Sequence, residues 1–168
     1  MIQERTDISP PIAFIDTEVN PESMKIIDIG GVRDNGSSFH KASLEEFLQF
    51  IKGTKFLCGH NIINHDMKYI GKALNKPEID TTNIIDTLFL SSLLFPTNPY
   101  HALVKDDKLQ SDESNNPLND AIKARDLLYD EVAAFWQTDG TIKEIFYLLL
   151  NDKREFKAFF RFTSYKSN

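Results

Sequence analysis

Ala13-Phe14-Ile15-Asp16-Thr17-Glu18-Val19-Asn20 closes an apolar run with two carboxylates one residue apart. Residues 12–17 read as a buried strand, and side chains at i and i+2 of a strand lie on one face. Asp16 and Glu18 therefore project from the same side of the strand's C-terminal end. Open α/β sheets carry their sites at that end. Two carboxylates held this close repel each other unless a cation lies between them. Taken alone, the pair is better explained as part of a solvated loop.

The chain around this stretch alternates strands and helices. Residues 24–40, MKIIDIGGVRDNGSSFH, carry β-branched side chains on both sides of Asp34-Asn35-Gly36. This predicts a second and a third strand joined as a hairpin. Ser43 and Glu46 form a capping box, and Leu44, Phe47, Leu48 and Ile51 recur at helical spacing as far as Gly53. Lys55 to Cys58 read as a short strand. The segment from Gly59 to Asp66 then leads into a helix carrying Met67, Ile70 and Leu74. Asn83 to Thr87 read as the next strand, and Leu88 to Phe95 as a helix closed by Pro96. Residues 97–116 read as loop, with a short helix at 101–109. Asn116 followed by Pro117 opens a long helix to about Trp136, with Leu118, Ala121, Ile122, Leu128, Val132 and Phe135 on its inner face. The order βββ-α-β-α-β-α-α predicts an α/β protein with a mixed five-stranded sheet flanked by helices.

Asp139-Gly140 breaks this pattern. Residues 1–138 are read as one domain. Residues 139–168 are read as a helical extension, or as a linker to a further domain downstream. Ile142, Ile145, Phe146, Leu149, Phe156, Phe159 and Phe160 give the extension its helical periodicity.

Composition narrows the function classes. With 168 residues, 41% hydrophobic and 26% charged, the chain suits one soluble globular domain rather than a disordered segment. No apolar run approaches the roughly 20 residues of a membrane span, and the polar N-terminus argues against a signal peptide. The single cysteine, Cys58, lies in an apolar run and is expected to be a buried thiol in a reducing, cytoplasmic setting. A formal charge of −6 opposes passive binding to phosphate backbones. It does not oppose an acidic site that holds divalent cations, which invert the local charge. The positive residues concentrate late in the chain, at Lys153, Arg154, Lys157, Arg161 and Lys166.

Two further acids give the Asp16–Glu18 pair its meaning. Asp66 is placed by the reading in the first turn of a helix entered from a strand, and Asp120 in the first turn of the long helix. Either one alone is explained as a helix-dipole carboxylate, worth about 0.3–1 kcal/mol. Together, the four supply hard oxygen donors that suit Mg²⁺ or Mn²⁺ rather than zinc. Two such ions roughly 3.5–4 Å apart stabilise the attacking and leaving oxygens of a phosphoryl displacement.

The segments FIDTE (14–18), GHNIINHD (59–66) and NNPLNDA (115–121) resemble, in order and spacing, the three motifs of the DEDD superfamily of 3′-to-5′ exonucleases. That resemblance implies a ribonuclease-H-like fold, and two Mg²⁺ or Mn²⁺ ions held by Asp16, Glu18, Asp66 and Asp120. It implies a role for Glu18 in orienting the attacking water, and contacts from Thr17, Asn61 and His65 to a single-stranded 3′ end, DNA in preference to RNA. The phrases YHALVKDDKL (100–109) and NNPLNDA, with the aromatic and basic tail, are similar to exonuclease domains joined to RecQ-family DNA helicases. This narrower resemblance implies a helicase domain in the same full-length polypeptide. Lys123, Arg125 and the C-terminal basic residues are candidate phosphate contacts.

The resemblance breaks at one position. One branch of the superfamily has a histidine five residues before the last aspartate, as proton acceptor, and another has a tyrosine four residues before it. Here those positions are Asn115 and Asn116. Three accounts follow. Water ionised by metal alone is hydrogen-bonded by Asn115. Alternatively another histidine reaches in, His101 first and His65 next, ahead of His40 and His60. Finally, the domain binds nucleic-acid ends, or anchors a helicase, without cutting. A general base contributes about 10²–10⁴-fold, so a slow enzyme survives its loss.

Overall fold

A computed structural model describes residues 10–74, 80–103 and 116–167. β1 (Ile12–Asn20), β2 (Lys25–Arg33) and β3 (Ser38–His40) run as an antiparallel meander. They are followed by α1 (Leu44–Phe50), β4 (Phe56–Gly59), α2 (Met67–Leu74), β5 (Ile84–Asp86) and α3 (Thr87–Leu94). Three more helices follow: α4 (Pro117–Gln137), α5 (Gly140–Leu150) and α6 (Lys157–Thr163). The sheet order is β3-β2-β1-β4-β5, with β4 and β5 parallel to β1. The protein is thus α/β, with the mixed five-stranded sheet that the sequence predicts.

β1 is the central strand and separates two cores. Ile12 and Phe14 on one face pack with Leu128 and Phe135 of α4. Ala13 and Ile15 on the other pack with Phe47, Ile51 and Ile70. Fully burying each large apolar side chain is worth about 1.5–3 kcal/mol, so β1 is anchored from both sides. The strand runs beyond residue 17, the end expected from the sequence. Its polar end, Glu18 to Asn20, keeps pairing with β2 past a bulge between Glu18 and Val19. The β2–β3 hairpin turns through Gly36 at φ +83°, where an L side chain is strained.

The extension shares the main core. Phe159, Phe160 and Phe162 of α6 are buried in the cluster that contains Phe14 and Phe135. The Phe135 and Phe159 rings meet edge to face with centroids 5.2 Å apart, a geometry worth about 0.5–1.5 kcal/mol beyond area burial. α5 presents Phe146, Tyr147 and Leu150 to this cluster and leaves Ile142, Ile145, Leu148 and Leu149 exposed.

Three local readings differ from the structure or fall outside it. Asp66 lies immediately before α2 rather than in its first turn, and its carbonyl accepts the N–H groups of Tyr69 and Ile70 at 2.9 and 3.0 Å. Residues 101–103 are not helical, and the remainder of the helix expected at 101–109 lies outside the described residues. Glu131, which the inner face expected for the long helix does not include, is fully buried on α4. Cys58 is buried as expected. Among the described residues no helix is long and apolar enough to cross a membrane.

Candidate functional site

β4 pairs in parallel with the first residues of β1, Ile12–Phe14 with Phe56–Cys58, and ends beside Ile15, just before Asp16. In the β1–β2 ladder Asp16 is opposite Gly30 and Glu18 opposite Asp28. β4 stops at Gly59, where an added Cβ would come within 2.8 Å of the Ile15 carbonyl oxygen and 3.0 Å of Ile62 Cβ. The loop leaving β4 therefore folds tightly against β1 and delivers Asp66 to it. Asp66 Oδ1 accepts two bonds from Thr17, one from its N–H at 2.8 Å and one from its hydroxyl at 2.7 Å. Thr17 lies between Asp16 and Glu18 in sequence, and its side chain is on the opposite face of β1 from theirs. Asp66 is 1% exposed, and among the described residues its Oδ2 is buried with no hydrogen-bond partner. An unsatisfied buried acceptor costs about 1–3 kcal/mol.

α4 brings the fourth acid to the same end of the sheet. Asn116 caps the helix, its Oδ1 accepting from the N–H groups of Leu118 and Asn119 at 3.0 and 3.3 Å. Pro117 occupies the first turn, where its missing N–H is harmless. The helix start is pressed onto β2: an added Cβ at Gly30 would stand 2.1 Å from both Leu118 N and the Pro117 carbonyl carbon. Because Gly30 is the ladder partner of Asp16, this contact carries the first turn of α4, with Asp120, over the end of β1. Asp120 lies 3.8 Å from the Lys123 ammonium.

The histidines report which charges are neighbours. His65 Nδ1 is 3.7 Å from Asp66 Oδ1, an ion-pair distance rather than a hydrogen bond. The Asp66 carboxylate raises the His65 pKa against partial burial, and Glu18 adds its field. Burial lowers the His60 pKa, opposed by a bond to the His101 backbone and by the charge of Asp120. His60 Nδ1 pairs with the Thr87 hydroxyl at 2.9 Å. His101, the preferred substitute proton acceptor, has Nδ1 2.8 Å from the Ser91 hydroxyl. His40 Nε2 pairs with Asp28 Oδ2 at 2.7 Å.

The structure links the predicted residues in pairs only. Asp66 is joined to Thr17, Glu18 and Asp66 both act on His65, and Asp120 acts on His60. Among the described residues no three His, Cys, Asp or Glu side chains are grouped as a metal site. Thr17, expected to touch substrate, has its hydroxyl committed to Asp66 and is buried. Asn61 takes the left-handed conformation, φ +61°, and its carbonyl accepts from Asn64 and His65. Asn115 lies outside the described residues.

No family model, curated protein or solved structure matches the chain.

The sequence reading missed Asp86 at this site. It is fully buried at the end of β5. Its Oδ1 accepts from Asn61 N–H at 2.9 Å and Leu88 N–H at 3.0 Å, and its Oδ2 from Ile63 N–H at 3.0 Å. Burial raises its pKa while these three bonds lower it. One carboxylate thus caps α3 and also holds the Gly59–Asp66 loop in the shape that presents Asn61, His65 and Asp66. The available signal was an Asp directly before an apolar helix, which is a cap pattern. Its second task, across the parallel strand pair, has no local signature.

Proposed function

We propose that the protein is a divalent-metal-dependent 3′-to-5′ exonuclease that hydrolyses nucleic acid, DNA in preference to RNA, to nucleoside 5′-monophosphates. The observation that carries this reading is Asp66. A buried carboxylate has one oxygen fixed twice by Thr17, the residue between Asp16 and Glu18 in sequence, and its other oxygen without a hydrogen-bond partner among the described residues. A hard cation is a chemically suitable partner for such an oxygen.

Asp16, Glu18, Asp66 and Asp120 would hold two Mg²⁺ or Mn²⁺ ions. When bound, the ions supply Lewis acidity at the attacking and leaving oxygens of an in-line displacement. Glu18 orients the attacking water. Asn61 and His65, on the loop held by Asp86, position the terminal nucleotide. His101 is the preferred proton acceptor in place of the missing histidine.

A second reading is favoured by Asn115 and Asn116 at the two positions where the superfamily carries its base. On that reading the domain binds strand ends, or anchors a helicase domain, without hydrolysis. Incubation of a 3′-labelled single strand with Mn²⁺ separates the two. Release of labelled monophosphate by wild type and not by Asp16→Ala supports the nuclease, and equal traces from both proteins support the binding module.

A further inference from the structure

A cavity of about 380 Å³, whose lining includes none of Asp16, Glu18, Asp66 and Asp120, lies between the Gly59–Asp66 loop, α2, the turn entering β5 and the segment leading into α6. Its lining divides by chemistry. Ile63, Met67 and Ile84 give it an apolar wall. Arg154 and Lys157 give it two cations, and Thr81 and Thr82 give it hydroxyls. The one acid in the lining, Asp152, is already engaged by Lys153 at 3.1 Å. Among the described residues neither Arg154 nor Lys157 makes a salt bridge of its own. In a chain of net charge −6, two such cations on one cavity stand out.

The wall bearing the threonines is built rather than incidental. Arg161 of α6 donates to the Thr82 hydroxyl at 2.8 Å and to Asn83 Oδ1 at 3.0 Å, and lies 3.9 Å from Asp80. Hydrogen bonds from Thr82, with the charges of Arg161 and Lys157, hold the Asp80 carboxyl below its usual range. The turn is thereby tied to α6, and Arg154 and Lys157 face a fixed partner surface. A volume of this size accommodates one small organic ligand, with an apolar wall for its body and a few polar groups to orient it. Arg and Lys together with hydroxyls are the usual protein donors to phosphate oxygens.

We propose that this cavity binds a phosphorylated nucleoside unit, with the base against Ile63, Met67 and Ile84 and the phosphate against Arg154 and Lys157. The unit is either a free nucleotide or one residue of a nucleic-acid strand. The inference needs neither the acidic residues nor a metal, and it stands if the exonuclease reading fails.

Isothermal titration calorimetry of the full chain in EDTA tests it, with AMP, adenosine, inorganic phosphate and a single-stranded oligonucleotide as probes. AMP is expected to bind, with adenosine and phosphate each at least tenfold weaker. The Arg154→Ala/Lys157→Ala double variant is expected to lose at least tenfold in affinity while melting as wild type, and Arg154→Lys/Lys157→Arg to recover most of the loss. Asp16→Ala, which abolishes hydrolysis under the exonuclease reading, is expected to bind AMP unchanged. Binding of the oligonucleotide but not of AMP, with the same loss in the double variant, supports the cavity as a strand subsite. The inference is overturned if neither AMP nor the oligonucleotide binds, if phosphate binds as tightly as AMP, if the double variant binds undiminished, or if Asp16→Ala loses AMP.

Discussion

Asp66 and Thr17, forty-nine residues apart in sequence, are joined by two hydrogen bonds to one carboxylate oxygen, at 2.8 and 2.7 Å. The bond from the Thr17 N–H survives any side-chain change, whereas the bond from the hydroxyl does not. Thr17→Val keeps the shape and removes one donor from a buried carboxylate. We expect a loss of about 1–3 kcal/mol in denaturant unfolding. We also expect a fall in strand hydrolysis, because Asp66 loses one of its two restraints. Unchanged unfolding together with unchanged hydrolysis would show that the hydroxyl bond has no part in placing Asp66.

Gly30 is where the sheet admits α4. A methyl group there would sit 2.1 Å from Leu118 N and the Pro117 carbonyl carbon, both backbone atoms that cannot rotate aside. Gly30→Ala must shift the helix start, at the about 1–3 kcal/mol or more typical of overpacking. Because Asp120 rides on that turn, activity is expected to fall further than stability. A crystal structure of the variant should show the first turn of α4 displaced, and wild-type stability and activity would count against the contact.

Glu131 offers a pH test independent of the site. Burial, with smaller contributions from Asp86 and Asp130, pushes its carboxyl up to about 10, and among the described residues neither oxygen has a hydrogen-bond partner. Its folded pKa is raised above the unfolded value near 4.5, so its stability contribution is complete below that value. It is lost progressively as pH rises toward 10, because only the unfolded chain releases the proton. Urea midpoints of wild type and Glu131→Gln should diverge between pH 5 and 8, wild type losing up to about 1.4 kcal/mol per pH unit relative to the variant. Parallel curves would contradict a buried neutral carboxyl.

His101 is the preferred replacement for the missing base, and its Nδ1 is taken up by Ser91. His101→Ala is expected to lower the hydrolysis rate at least tenfold, within the range of a general base. An unchanged rate would reject His101 as the proton acceptor.

Much of the fold was legible because its signals are local. The Ser43 cap of α1, the Asn116-Pro117 start of α4 and the Asp34–Gly36 turn each lie within a few residues of what they specify, and each is observed, although the Glu46 carboxylate of the expected capping box pairs with Lys41. The site was legible only as a set of types. Asp16 and Glu18 announce a shared strand face, but the clasp of Asp66 by Thr17 and the contact of Gly30 with α4 join segments far apart in sequence. Glycine at position 30 reads as a weak strand residue until the helix is seen lying on it. Glu131 was unreadable for the opposite reason, since charge normally marks an exposed position and only burial shows this one neutral. Asp86 has a readable cap role and a hidden one, as the brace of the loop that carries Asn61.

The most direct measurement is uptake of Mn²⁺ followed by electron paramagnetic resonance, in wild type and in Asp16→Asn, Glu18→Gln, Asp66→Asn and Asp120→Asn. We predict two bound ions in wild type and at least a tenfold weaker uptake in each variant, with folding retained. No uptake at millimolar Mn²⁺, or variants that bind as wild type, would contradict a joint metal site at the end of β1 and with it the exonuclease account.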